Sequence, residues 1–371
     1  NLDSEKWEKY PKEVIPAWVA DADYTAAKAI IAAMRQRLDH GVFGYSTAPP
    51  ELPQTICEYF SHRWNWNIQP EWINYSPGLG VAIHNSCRLA AGGAILTPQP
   101  IYHVFRDAPQ LAQAQRIDVP MEYDGNTWQL PMQALENAKN NDAACNSKVF
   151  QLCNPHNPNG KVYSKDELFA IAEFCERHDL IIFSDEVHAD LILDSEPTHI
   201  PIASLAPEIA QRTITVQSPS KAYNIAGLNF AVVIIENDAL RARYQQAARG
   251  KVLEHLNPFG YNAAVAAYNG SCEAWWLAQR THLRANRQRL QTAIDELPAV
   301  TMPHLASTYL AWINVEALQL ADAPAHFLRH GLAMSPGEDF GDARYMRANF
   351  ACSPESLEEI IKRFTAAVGA A

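Results

Sequence analysis

The sequence predicts an α/β fold in which a mostly parallel sheet is covered by helices. Three observations point there. Short apolar runs alternate with amphipathic helical stretches through the middle of the chain, the habit of strands joined by crossover helices. Turn-rich polar clusters such as Asn154-Pro-His-Asn-Pro-Asn-Gly160 follow those runs, where strands would hand the chain to loops at their carboxyl ends. With 371 residues, 48% of them hydrophobic and 19% charged, the chain has ordinary globular composition and enough length for about two or three domains.

Taken in order, Tyr75-Ser-Pro-Gly-Leu-Gly80 opens a helix running to about Ala91 and closed by Gly92-Gly93. Its first amides are therefore free to hold an anion. Residues 148–153 form a strand, and the loop 154–160 leads into a helix whose start carries Ser164 and Glu167 at capping-box spacing. Leu168, Ile171, Ala172 and Cys175 then recur at i, i+3, i+4 and i+7 and give that helix one buried stripe. A strand at 180–183 ends in Ser184-Asp185-Glu186, and one at 213–217 runs into Ser218-Pro-Ser-Lys221. The apolar run 230–235 is strand-sized. Ser353 as N-cap, Pro354 at the first helical position, and Leu357, Ile360, Ile361, Phe364 and Val368 on one face define a terminal helix expected to pack on a second, smaller domain.

Charge and composition exclude several partners. Thirty basic against 41 acidic residues leave −11, the wrong sign for a phosphate-backbone ligand. No stretch reaches the roughly 18–20 apolar residues of a membrane span. The opening Asn-Leu-Asp-Ser-Glu-Lys-Trp is polar, unlike the apolar core of a signal peptide. The seven cysteines, Cys57, Cys87, Cys145, Cys153, Cys175, Cys272 and Cys352, are scattered without a CxxC pair and read as reduced core residues of a cytoplasmic protein.

Ligands of open α/β sheets sit at the carboxyl ends of the strands, and Asn157, Asp185 and Lys221 all fall there. A lysine at the floor of such a crevice is a candidate nucleophile, since burial or cationic neighbours lower its pKa and let it form Schiff bases. A carboxylate closing an apolar strand is costly unless it meets a cation or strong donors, and a protonated pyridine nitrogen would satisfy Asp185. Asp185, Glu186, His188 and Asp190 also suggest a metal cluster, but strand alternation would send Asp185 to one face and the other three to the opposite one; no metal site is expected. Taken singly, each residue also fits an ordinary role: a loop lysine, a loop cap or surface ion pair, an aromatic on a strand end.

Seven segments carry a resemblance that spacing alone does not establish. Ile15-Pro-Ala-Trp-Val-Ala-Asp-Ala-Asp23, His40-Gly-Val-Phe-Gly-Tyr45, Pro100-Ile-Tyr-His-Val-Phe105, Asn154-Pro-His-Asn-Pro-Asn-Gly160, Ser184-Asp-Glu-Val-His188, Ser218-Pro-Ser-Lys-Ala-Tyr-Asn-Ile-Ala-Gly-Leu228 and Tyr345-Met-Arg-Ala-Asn-Phe-Ala351 resemble, in order and over nearly the whole chain, the fold-type I pyridoxal-phosphate (PLP) enzymes of the aspartate aminotransferase superfamily. More narrowly, they resemble the MalY/PatB-type cystathionine β-lyases.

That resemblance implies a large PLP-binding domain over 25–260, with a mixed, mostly parallel sheet covered by helices, and a smaller α+β domain built from 1–24 and 261–371. It implies that Lys221 carries the cofactor as a Schiff base, that Asp185 keeps its ring nitrogen protonated so that the ring is an electron sink, that Asn157 hydrogen-bonds its O3′, and that Tyr102 stacks on the ring. The phosphate would be held by amides near Gly78, Leu79 and Gly80, by Ser218 and Ser220, and by Tyr45 reaching across a homodimer with shared sites. Arg347 would take the substrate α-carboxylate as a bidentate fork, with Asn157 and Tyr45 beside it. His188 replaces the tyrosine often found three residues after the aspartate, and Asn229 stands where many aminotransferases place a phosphate-binding arginine; both features resemble the lyase branch. Asn159 and Ala22 depart from the usual Thr and Met, which bears on substrate preference. The implied reaction is β-elimination of L-cystathionine, L-cysteine or cysteine S-conjugates to a thiol, pyruvate and ammonia. The alternatives are an aminotransferase on the same scaffold, or a lyase-fold protein acting mainly as a regulator through a protein partner.

Overall fold

The computed structural model describes residues 3–141, 146–249 and 255–371. Cys145 lies outside them, and the other six cysteines are buried and unbridged.

The main sheet has seven strands in the order Ile73–Ser76, Ala231–Ile234, Thr213–Gln217, Ile181–Asp185, Ser147–Cys153, Ala94–Gln99 and Gln115–Pro120. Ala231–Ile234 runs antiparallel to both of its neighbours, and every other pairing is parallel. This is the mixed, mostly parallel sheet expected, and its central strands are buried along almost their whole length, polar Gln151, Ser184 and Thr215 included, because both faces are covered. In Ser147–Cys153 the side chains divide by the two-residue period of a strand. Phe150 and Leu152 join the helix Lys165–Arg177 through its buried Leu168, Ile171 and Cys175. Val149 and Cys153 point to the other face, with Ile83 of the helix Leu79–Cys87 and Phe105 of the helix His103–Leu111. The capping box at Ser164 and Glu167 forms as its spacing predicts.

A second, three-stranded antiparallel sheet places Tyr345–Asn349 between Leu310–Asn314 and Ser335–Pro336. Ile15–Pro16 pairs in parallel with Leu332–Ala333 and so ties the beginning of the chain to this part of the molecule. The terminal helix Pro354–Gly369 is capped by the Ser353 side chain and buries Leu357, Ile360, Ile361 and Phe364 beside it.

Two local expectations are corrected. The helix opened at Leu79 ends at Cys87, and its last stretch tightens into the 3₁₀ turn Arg88–Ala90, a common way for a helix end to satisfy its leftover carbonyls. The strand that carries Asp185 stops there, and the chain turns into the 3₁₀ segment Ala189–Leu191. Strand alternation therefore does not govern Glu186, His188 and Asp190. Among the described residues, no helix is long and apolar enough to cross a membrane.

Candidate active site

The carboxyl ends of the parallel strands, the loop after Thr213–Gln217, the segment around residue 20 and the strand Tyr345–Asn349 enclose a cavity of about 360 Å³. Lys221, Asp185, Asn157, Tyr102, His188, Ser220, Arg347, Gly78 and Leu79 all line it. Of these nine, Gly78 and Arg347 are the farthest apart in sequence, at 269 positions.

Asp185 closes its strand with a carboxylate 2% exposed. Its Oδ1 accepts the Val187 amide at 3.0 Å. Burial pushes its pKa up to about 7, the Val187 hydrogen bond and the Lys221 charge opposing and the neighbouring Glu186 adding. A buried carboxylate this poorly provided with donors is costly in isolation and suits a cationic N–H donor arriving from the cavity. Glu186, adjacent and equally buried, is fully supplied: Oε1 accepts from Ser184 Oγ at 2.8 Å and Oε2 meets His199 Nε2 at 2.9 Å.

Lys221 donates from Nζ to the Ala20 carbonyl at 2.8 Å. Burial brings its pKa down to about 8, and the Arg347 charge pushes the same way while Asp21 and Asp185 oppose. Near neutral pH such an amine is close to the point where it can give up its proton, as a nucleophile or base requires. Tyr309 Oη donates to the same Ala20 carbonyl at 3.1 Å and so helps fix this oxygen.

Arg347 sits in the central strand of the small sheet, 5% exposed. Nη1 donates to Asn157 Oδ1 at 3.1 Å, and Nη2 to the Trp18 carbonyl at 2.9 Å and to Ser335 Oγ at 3.3 Å. The guanidinium carbon lies 4.4 Å from the Phe340 ring centroid, and Nε has no partner. Burial lowers its pKa to about 10, so the group stays charged at neutral pH. His188 is 2% exposed with Nδ1 unpartnered. Burial, then the charges of Lys221 and Arg347, hold its pKa down to about 3. His188 is thus a neutral imidazole, placed beside Asp185 rather than on the opposite face.

Gly78 adopts φ +103° and precedes the helix Leu79–Cys87, a backbone conformation that glycine tolerates and side chains resist. The first-turn amides of that helix are the donors a helix leaves unpaired. The remaining expected residues stand apart from the cavity wall. Gly80 lies one residue further into the helix. Ser218 is buried, with its hydroxyl donating to the Phe230 carbonyl and accepting the Ser220 amide at 3.1 Å. Tyr45 is 92% exposed, its ring 4.8 Å from that of His255. Sequence reasoning assigned no role to Lys9, Tyr10, Trp18, Ala20, His103, Ser335, Asp339 or Phe340, all of which line the cavity. For Trp18 and Ala20 the available signal was the segment Ile15–Asp23, already noted for its resemblance.

A seven-stranded mixed sheet with a half-buried lysine and a buried aspartate at its carboxyl edge, faced by a buried arginine from the small sheet, is the arrangement of a class of cofactor-dependent enzyme acting on amino acids. The aminotransferase class I and II family profile matches residues 19–364, and the chain belongs to that family. Among curated relatives, the chain is 31% identical to the cystathionine beta-lyase PatB of Bacillus subtilis, over 98% of this chain and 96% of that one. Among solved structures, it resembles OvoB with a TM-score of 0.95 and 39% identity, covering 100% of this chain and 97% of that one. It also resembles cystalysin from Treponema denticola, which contains a pyridoxal 5′-phosphate cofactor, with a TM-score of 0.93 and 29% identity over 100% and 96% of the two chains.

Proposed function

We propose that the chain is a PLP-dependent carbon–sulfur β-lyase that converts L-cystathionine, L-cysteine or cysteine S-conjugates to a thiol, pyruvate and ammonia. The observation that carries this reading is the convergence of Lys221, Asp185, Asn157 and Arg347 on one cavity, in a chain whose relatives include a named cystathionine β-lyase. The residues fit PLP. Asp185, short of donors, matches a protonated ring nitrogen; Asn157 matches the ring hydroxyl; Tyr102 offers an aromatic face; and the unpaired amides after Gly78, with Ser220, match a phosphate. Ser218 acts through the Ser220 amide that it holds. Gly80 adds a first-turn amide, and His188 fills the space beside Asp185 as a neutral group.

When bound through Lys221, PLP draws electrons away from the substrate Cα. Arg347 receives the α-carboxylate and, with Asn157, fixes the orientation of the amino acid. Lys221, free once the substrate has taken its place, removes the Cα proton as general base. The Cβ–S bond then breaks with its electron pair going to sulfur, and the lysine ammonium is the nearest proton source for the departing thiolate. The remaining three-carbon unit takes up one water and leaves as pyruvate and ammonia.

The exposed patch Leu38, Val42, Phe43 and Tyr45, at 56%, 63%, 54% and 92%, is read as the face on which two copies meet, with Tyr45 entering the other copy's phosphate site. The large domain is 25–260, and 1–24 with 261–371 form the small one.

Visible absorbance of purified protein, wild type beside Lys221→Ala, followed by pyruvate release from L-cystathionine without any keto acid, tests the reading. A lysine-dependent band with pyruvate supports it. A band without pyruvate moves the chain to amino-group transfer, the chemistry for which its family is named. No band removes the cofactor and all that rests on it.

A further inference from the structure

Lys221 follows a strand of the main sheet and Arg347 belongs to the small sheet, yet both rest on one short stretch of backbone, residues 18–20. Each is held there in the same way. The Ala20 carbonyl accepts from Lys221 Nζ at 2.8 Å and from Tyr309 Oη at 3.1 Å. The Trp18 carbonyl accepts from Arg347 Nη2 at 2.9 Å and from Ser335 Oγ at 2.7 Å. A carbonyl oxygen has two lone pairs, so in both places a hydroxyl takes one and the functional cation takes the other. The alternate carbonyls go to Asn349. Its backbone amide donates to the Ala17 carbonyl at 2.8 Å, and its Nδ2 donates to those of Val19 and Asp21 at 2.6 and 2.5 Å.

Tyr309 and Ser335 are 1% and 7% exposed, and among the described residues neither hydroxyl donates anywhere else. Phenylalanine would fill the space of Tyr309 equally well, so its oxygen acts at this carbonyl. We propose that Tyr309 and Ser335 are positioning residues that work through these two carbonyls, Tyr309 aiming the Lys221 amine and Ser335 aiming the Arg347 fork. With one lone pair taken by a buried hydroxyl, the carbonyl cannot turn, and the direction of its other lone pair is set. An acceptor held towards Lys221 favours the ammonium form and so opposes burial and the Arg347 charge, which pull the pKa of this amine down. Tyr309 thereby also bears on the pH at which Lys221 is free to act as a base.

The proposal rests on the function given above for the parts that Lys221 and Arg347 play, but both hydroxyls can be tested without breaking a bond in any substrate. Competitive labelling of the cofactor-free full chain with trace acetic anhydride, read by mass spectrometry of the peptide that carries Lys221, gives the pH midpoint at which this amine becomes reactive. Tyr309→Phe should lower that midpoint by about one pH unit, part of the worth of a hydrogen bond to a charged group, and Ser335→Ala should leave it in place. On the holoenzyme, the Kd of L-alanine, which has no group to expel from Cβ, is read from the change in the visible band. Ser335→Ala should raise it about three- to tenfold, and Tyr309→Phe should leave it at the wild-type value. In turnover of L-cystathionine the same division should separate kcat from KM: Tyr309→Phe lowers kcat about tenfold by misplacing the base, and Ser335→Ala raises KM.

An unmoved or raised midpoint in Tyr309→Phe, or an unmoved L-alanine Kd in Ser335→Ala, overturns the proposal, even where the melting temperature falls, because a merely structural hydroxyl would change stability alone. Movement of both readouts in both variants overturns it too, since the segment would then shift as one block. If the wild type releases no pyruvate, the lyase reading fails while the midpoint and the L-alanine Kd still decide. If it forms no visible band, the cofactor reading fails and the labelling midpoint decides.

Discussion

Two neighbouring regions behind the same strand end treat buried charge in opposite ways. On the cavity side, Asp185 keeps a single backbone donor and an elevated pKa of about 7. On the far side, Glu186 is closed by Ser184 and His199, and Asp190 meets Arg63 Nε at 3.3 Å. All three carboxylates are 2% exposed or less, so burial does not distinguish them. What differs is the supply of side-chain partners. Glu186 meets Ser184 and His199, and Asp190 lies within ion-pair distance of Arg63, although the Asp190 oxygens and His199 Nδ1 lack a hydrogen-bond partner; Asp185 has one backbone donor and no side-chain partner among the described residues, and His188 Nδ1 and Arg347 Nε are left unpartnered on the same wall. Under-satisfied polar groups gathered on one cavity wall are the mark of a site that is finished by something it binds.

The largest effects should come from the cavity side. Asp185→Asn is expected to reduce pyruvate formation by about three orders of magnitude, since the ring loses the anion that keeps its nitrogen protonated. In the cofactor-free protein the same change should stabilise the fold. The pKa of Asp185 lies at about 7 when folded against 3.8 as a free group. Its favourable contribution is therefore complete below pH 3.8 and is lost as the pH rises through about 7. Urea unfolding at pH 8 should show the variant ahead by about 4 kcal/mol, with the gap closing towards pH 4. A variant destabilised at pH 8 would put Asp185 with the partnered far-side groups and erase the contrast.

His199→Ala provides the reciprocal test. Removing one partner of a buried pair strands the other, and loss of about 3 kcal/mol of stability is expected. Glu186→Gln with His199→Ala together should cost less than the sum of the single changes, because the uncompensated charge is gone. Denaturant midpoints check both, and the cofactor's visible band should survive in each wherever the protein remains folded.

Much of this contrast was legible in the sequence, but only its local half. The strands Ser147–Cys153, Ile181–Asp185 and Thr213–Gln217 and their polar exits are written in runs of a few residues, so Asn157, Asp185 and Lys221 could be placed at one edge by topology. The partners could not. Glu186 is completed by His199 across a 13-residue loop, Lys221 by a carbonyl 201 positions away, and Arg347 by one 329 positions away. Such contacts depend on how two sheets and the chain's beginning come together, which no local period encodes. Ser218 shows the same limit: its position in the loop suggests a ligand donor, while the folded chain spends its hydroxyl on two backbone groups.

Arg347→Lys should have a smaller effect that still discriminates between the regions. Lysine keeps the charge but cannot span Asn157, Ser335 and the Trp18 carbonyl together, nor offer a planar fork to a carboxylate. A loss of about 1.5–3 kcal/mol in transition-state binding corresponds to roughly 10- to 100-fold in kcat/KM, and most of it should appear in KM if the arginine serves chiefly to hold substrate. Steady-state kinetics with L-cystathionine resolve the two terms. A fall confined to kcat would instead place Arg347 in the chemical step.

Ser164→Ala should have the smallest effect and serves as the control for the comparison. The Ser164 hydroxyl accepts the Glu167 amide at 3.3 Å, and the Glu167 carboxylate returns to the Ser164 amide at 2.7 Å. The helix they start, Lys165–Arg177, covers the sheet face through Leu168, Ile171 and Cys175 and adds nothing to the cavity wall. Losing the cap should cost about 1 kcal/mol. The cost should not be larger, because the Glu167 carboxylate keeps its 2.6 Å ion pair with Lys161 and the apolar stripe stays buried. Thermal unfolding should record that loss while the visible band, its pH dependence and kcat/KM stay at wild-type values. If capping this helix altered the band, the sheet would be transmitting strain from its covered face to its carboxyl edge, and the partition between a partnered interior and an unfinished site would no longer hold.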